Sequence, residues 1–222
     1  MTLRRFYWGE ATTEEKESAD TSEKIGRVET VGNRIFFYHQ VSQETMLDLV
    51  QKIRELEESI LVDAIRWEAP GTPIHLHINS YGGEVFAALA VIDHIRACRV
   101  PVYTYVDGAA ASAATMLSIC GHKRFIYPNG CMLIHQLSSG FWGKFEEWKD
   151  ENKNMEMLMD KLYSLYRKFA KIPDKELQAI LKHDLWIEAD KRVEWGLADA
   201  VKHPDPLKDE ETLADFWSKR TK

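Results

Sequence analysis

What most constrains this chain is the order of its apolar segments, in which short strand-like runs take turns with longer stretches of helical period. Arg34-Ile35-Phe36-Phe37-Tyr38 is a compact apolar run. Ser42 follows as an N-cap, and Met46, Leu49, Val50, Ile53, Leu56, Ile60 and Ile65 recur at helical spacing as far as Trp67. Pro70-Gly71 ends that helix, and Ile74-His75-Leu76-His77-Ile78 alternates as a second strand. Two glycines then lead into a predicted helix over 84–98 that carries Val85, Leu89, Ile92 and Ile95. Residues 101–106 read as a third strand, and the small residues from Gly108 to Ser118 predict a helix. Further strands are predicted at Lys123–Ile126 and Cys131–Ile134, then a long helix over roughly Lys144–Lys171 and another opening at Pro173-Asp174. Strands and helices in alternation, joined by right-handed crossovers, predict an α/β fold with a mainly parallel sheet.

Composition sets the outer limits. With 222 residues, 45% of them hydrophobic, the chain can bury the core of one globular domain. We expect that domain over residues 28–203, after an acidic and mobile N-terminal arm (1–27) and before a C-terminal tail (204–222). Residues 10–24 hold six acids (Glu10, Glu14, Glu15, Glu17, Asp20 and Glu23) against Lys16 and Lys24, so this stretch supplies −4 of the net −6. A mildly acidic chain without a basic tract does not fit nucleic-acid binding. No run approaches the 18 or so apolar residues of a membrane span, and acids follow Arg4 and Arg5 before any apolar segment, unlike a secretory signal. Cys98, Cys120 and Cys131 form no CxxC pair, which predicts reduced core thiols and a cytoplasmic protein.

Four short segments can bear chemistry. In Asn79-Ser80-Tyr81-Gly82-Gly83, two glycines at a strand-to-helix junction allow a tight turn and leave backbone N–H groups able to hold an anion; a plain turn is the simpler reading. The segment matches neither GxxxxGK[ST] nor GxGxxG. In Asp107-Gly108-Ala109-Ala110-Ala111-Ser112-Ala113-Ala114, one serine sits among small residues after a strand, where a substrate can approach; a packed Ala/Ser helix is the alternative. His135 ends the apolar run Met132-Leu133-Ile134, and Asp184 precedes Leu185-Trp186-Ile187. Each alone is an ordinary structural residue. Together they supply a serine, a base to activate it, an acceptor to fix the tautomer of that base, and amides for an oxyanion.

Taken as a set, these motifs resemble the ClpP family, the proteolytic subunits of ATP-dependent caseinolytic proteases, from about Arg34 to Val201. INSYGG (78–83) is similar to the family's INSPGG, GAAAS (108–112) to GQAAS, and LIHQ (133–136) to MIHQP. Asp184, Ala189 and Val193–Asp199 are similar to its D-x-F-x-S-A-x-E-A-x-x-Y-G-L-V/I-D signature. The resemblance implies a ClpP/crotonase-like α/β fold with a protruding handle helix over 144–171. It implies Ser112 as nucleophile, His135 as base, Asp184 as its orienting acid, and the backbone N–H groups of Gly83 and Ala113 as oxyanion hole. No metal or other cofactor is implied. Polypeptide substrates and a homo-oligomer of stacked rings are, with Trp148, Met155, Leu158, Met159, Leu162 and Leu165 of the handle helix as interface or core. Tyr81 stands in place of the family's proline and Ala113 in place of its methionine. His75 and His77 replace tyrosines that line the family's docking pocket for an AAA+ unfoldase, which implies altered or absent docking. H-x-H on a strand also puts both rings on one face, where a metal site would lack an evident third ligand. The leading expectation is a serine endopeptidase in a ring. The alternatives are a phage or prophage head-maturation protease on the same fold, a non-catalytic ring subunit, and a crotonase-like acyl-CoA enzyme.

Overall fold

The computed structural model describes residues 28–140, 142–187 and 189–203. The expected N-terminal arm and C-terminal tail lie outside the described residues. Among the described residues eight strands and six helices follow in this order: β1 (Glu29–Val31), β2 (Arg34–Phe37), α1 (Gln43–Arg66), β3 (Ile74–Ser80), α2 (Val85–Ala97), β4 (Val102–Ala111), α3 (Ala113–Ile119), β5 (Lys123–Ile126), β6 (Cys131–Leu133), α4 (Phe145–Phe169), α5 (Asp174–Ile180), β7 (Trp186–Ile187), α6 (Ala189–Glu194) and β8 (Ala200–Val201). The main path of the sheet runs β1-β2-β3-β4-β5-β8, parallel except for the antiparallel edge strand β1, while β6 pairs in parallel with β4 and β7 antiparallel with β6. The fold is therefore α/β with a mainly parallel sheet, as the alternation predicts.

One sheet face is apolar. Ile35 and Phe37 of β2, Ile74, Leu76 and Ile78 of β3, and Val102 and Val106 of β4 are all buried there, against Leu49 and Ile53 of α1 and Val91, Ile92 and Ile95 of α2. Ser42 caps α1 as expected, its hydroxyl accepting from Thr45 N–H while the Thr45 hydroxyl accepts from Ser42 N–H. The one acid buried in this layer, Glu57, accepts from Arg99 N–H at 2.8 Å and from Arg54 at 2.7 Å, so its charge is matched.

The segment expected to be a helix from Gly108 to Ser118 is split. Residues 108–111 extend β4, and only Ala113–Ile119 is helical. Ala109, Ala110 and Ala111 pair in parallel with Cys131, Met132 and Leu133, and this ladder overrides the helix preference of alanine. The strand bends just before that point. Between Ile78 and Ser80 the β3–β4 register shifts, and the Asn79 side chain accepts from Ala109 N–H at 3.0 Å. Gly108 makes room for it, since a Cβ there would lie 2.7 Å from Asn79 Oδ1. The three cysteines are free. Cys98 and Cys120 are buried as expected, but Cys131 is exposed, because it opens β6 with its side chain away from the core.

Candidate active site

The end of β4 delivers Ser112 to the mouth of α3 with φ +54° and ψ −126°. That conformation costs a non-glycine residue about 1–3 kcal/mol, and it places a side chain on a sharp strand-to-helix turn, as in a nucleophile elbow. Its N–H donates to Leu133 O at 2.9 Å, tying the turn to β6.

Gly82 and Gly83 meet Ser112 from β3, with φ +94° and +149°. Only glycine fits here: a Cβ on Gly83 would sit 2.0 Å from Val41 O, and one on Gly82 would sit 2.7 Å from Ser112 Cβ. Val41 N–H donates to Gly82 O and Glu84 N–H to Val41 O, both at 2.9 Å, so the turn is fixed from outside. Ala113 opens α3, where a helix leaves its first amides unpaired. Among the described residues no protein acceptor takes the N–H of Gly83 or of Ala113.

His135 follows β6, and its neighbour Gln136 is anchored by donating to Leu181 O at 2.8 Å. Strand β7 pairs antiparallel with β6, Leu133 opposite Trp186 and Met132 opposite Ile187, which carries Asp184 to the His135 ring. His135 Nδ1 lies 3.7 Å from Asp184 Oδ1, the carboxylate being 77% exposed. This is ion-pair range and longer than a hydrogen bond. Gly83, Ser112, Ala113 and His135 line one cavity of about 60 Å³, together with Val85, Met116, Gln136, Leu137, Ser138, Leu162 and Tyr166. All five residues singled out in the sequence thus come together, four on the cavity wall and Asp184 behind the histidine. Asn79 was not foreseen. The available signal was an asparagine inside a strand, where it is disfavoured unless its side chain has a task.

His75 and His77 share a sheet face as expected. The His75 ring is 2.8 Å from the Tyr105 hydroxyl, and His77 Nδ1 is 3.0 Å from Asp107 Oδ1. Tyr38 donates to the other Asp107 oxygen at 2.5 Å, and the His77 ring stacks on Phe36 and on Tyr105, each at 4.8 Å. Burial, then the charges of Arg34, His77 and Lys202, push His75 down to about 4. Among the described residues no group of three or more His, Cys, Asp or Glu could hold a metal ion, and no helix is long and apolar enough to cross a membrane.

The Clp protease family matches residues 20–205. The chain is 34% identical over 134 residues to the ATP-dependent Clp protease proteolytic subunit of Deinococcus radiodurans, a match covering 60% of this chain and 66% of that protein. It is 31% identical over 172 residues to proteolytic subunit 1 of Chlamydia caviae (76% and 85% covered) and 33% identical over 152 residues to proteolytic subunit 2 of Treponema denticola (67% and 76%). With a family match over most of its length and relatives of one kind in three bacteria, the chain belongs to the Clp protease family and is a ClpP-like peptidase.

Proposed function

We propose that the chain is a serine endopeptidase that cleaves polypeptides through Ser112, His135 and Asp184, inside a ring-shaped homo-oligomer. The observation that carries this is the common cavity, which Ser112, held at positive φ, lines together with His135 and with Gly83 and Ala113, whose amides find no protein acceptor among the described residues. Ser112 Oγ attacks the scissile carbonyl and passes its proton to His135. Asp184 closes on Nδ1 and stabilises the imidazolium. The N–H groups of Gly83 and Ala113 hold the oxyanion, each contributing about 3 kcal/mol to the transition state. His135 then returns the proton to the leaving amine, and water repeats the cycle on the acyl-enzyme.

The proposal extends to partners. On the sheet face of Tyr38, His75, His77, Tyr105 and Asp107, two hydrogen-bonded histidines stand where the family's docking pocket carries tyrosines, so docking to an ordinary unfoldase is altered there. Labelling with a fluorophosphonate probe tests the reading. Wild-type protein should be modified at Ser112, and Ser112→Ala should be unlabelled and inactive on peptides while keeping fold and assembly. Substantial turnover by purified Ser112→Ala protein overturns it.

A further inference from the structure

A buried hydrogen-bonded chain runs from the middle of the molecule to the Ser112 backbone. Tyr166, 2% exposed on α4, has its hydroxyl 2.5 Å from Thr115 Oγ1 of α3. Thr115 is fully buried, and its hydroxyl donates to Ser112 O at 2.6 Å, beside its own N–H at 3.0 Å. Threonine has one hydroxyl proton, and the Ser112 carbonyl takes it. The direction of the other bond follows: Tyr166 O–H donates to Thr115 Oγ1. Burial pushes the Tyr166 phenol far above its ordinary value, so the donor keeps its proton.

The bond from Thr115 to Ser112 is local, three residues back, as threonines in helices often form. The bond from Tyr166 is not, since it spans 51 residues and joins two helices. Its consequence comes from peptide geometry. The Ser112 carbonyl and the Ala113 N–H belong to one planar trans peptide and point in opposite directions. Drawing that carbonyl toward Thr115 and the core therefore turns the Ala113 N–H outward, to the cavity that Ala113 lines with Ser112 and His135. The Thr115 N–H holds the same carbonyl at 3.0 Å, and the hydroxyl adds a second, shorter bond in the same direction.

We propose that Tyr166 is a positioning residue which, through Thr115, fixes the Ser112–Ala113 peptide so that the Ala113 N–H meets the oxyanion. This rests on the peptidase reading of Ser112. Because the oxyanion exists only in the transition state, the device acts on kcat and leaves KM nearly alone.

The test measures kcat and KM on a fluorogenic peptide, with fluorophosphonate labelling rate, melting temperature and light scattering. Tyr166→Phe removes one oxygen and should lower kcat and labelling about tenfold, with KM within about twofold of wild type. Thr115→Val should lower kcat further, and Thr115→Ser, which keeps the hydroxyl, should restore it to within about threefold. The double variant Y166F/T115V should be no slower than Thr115→Val, since Tyr166 acts only through Thr115. Wild-type kcat in Tyr166→Phe, or equal factors for Y166F in the wild-type and T115V backgrounds, overturns the proposal while the peptidase reading stands. A wild-type protein that neither labels nor cleaves overturns both. Should Tyr166→Phe fail to assemble, Thr115→Val against Thr115→Ser decides: equal rates in those two overturn the proposal.

Discussion

Adding one methyl group at Gly82 should separate activity from stability. The built Cβ of Gly82→Ala lies 2.6 Å from Ala111 O, 2.7 Å from Ser112 Cβ and 2.9 Å from Ala113 N, where ordinary contact begins near 3.4 Å. These atoms are backbone or one bond from it, so none can rotate away. Relieving the worst contact needs a shift of 3.4 − 2.6 = 0.8 Å between the glycine turn and the Ser112 segment. A misplacement of about 1 Å at a reacting centre costs about 100-fold in rate, so kcat should fall by about two orders of magnitude. The φ of +94° adds about 1–3 kcal/mol of backbone strain, which lowers the melting temperature but does not itself slow the reaction.

Gly32→Ala supplies the control. Its φ is +59°, a similarly disfavoured conformation for alanine, but nothing lies within 4 Å of the added Cβ. That variant should lose about 1–2 kcal/mol of stability and no turnover. Gly83→Ala is a poorer probe, because its Cβ would meet Val41 O at 2.0 Å and break the external anchor of the turn. Peptide turnover, fluorophosphonate labelling and thermal melting on Gly82→Ala and Gly32→Ala complete the comparison. Equal stability loss with turnover retained within threefold in Gly82→Ala would show that the glycine turn does not bear on Ser112, and would refute the steric argument.

Acid stability should depend on His75. Its folded value near 4 lies below the ordinary 6.5, so between those values the unfolded chain binds the extra proton and stability falls as pH is lowered through that window. His75→Phe should flatten this part of the melting temperature–pH curve; parallel curves would show that another group governs it. Assembly should depend on the N-terminal half of α4, where Phe145 is 72% exposed and Trp148 58% exposed, three and six residues after the 99% exposed Trp142. Phe145→Glu with Trp148→Glu should reduce the mass seen by light scattering, and a wild-type protein that runs as a 25.7 kDa monomer and still cleaves peptides would remove the ring from the proposed function.

The same helix shows where periodicity stops being informative. The stripe Trp148, Met155, Leu158, Met159, Leu162 and Leu165 reads as one apolar face, but the structure grades it along its length. Leu162 is buried, Met159 and Leu165 pack against the core, and Trp148 stands in the open. Met159 Sδ also accepts from Leu137 N–H at 3.4 Å, two residues beyond His135. A charge at Met159 would therefore disturb the site as well as any interface, whereas Phe145 and Trp148 probe the interface alone. Spacing alone assigns a residue to a face; how deep that face is buried at each turn depends on what packs there, as α3 does where Thr115 meets Tyr166.

The readable parts of the site are those whose demands are local. Two glycines are required where an added Cβ would meet Val41 O at 2.0 Å or Ala111 O at 2.6 Å, and a small-residue run with one serine marks the place where a strand turns sharply into a helix. Such demands leave short, contiguous patterns. The misread part is the alanine run, because alanine packs in either state and the ladder partner that decides it, Cys131–Leu133, lies about 20 residues on. The supports are harder still. Strand β7 has two residues and is defined by β6 rather than by its own composition. Tyr166 reads as one more core aromatic, and Thr115 as one more small helical residue. Only their meeting at 2.5 Å, across 51 positions, gives either one a bearing on the Ser112 carbonyl. The groups that face a substrate leave local signatures, while those that hold them in place are specified by contacts that no window of sequence contains.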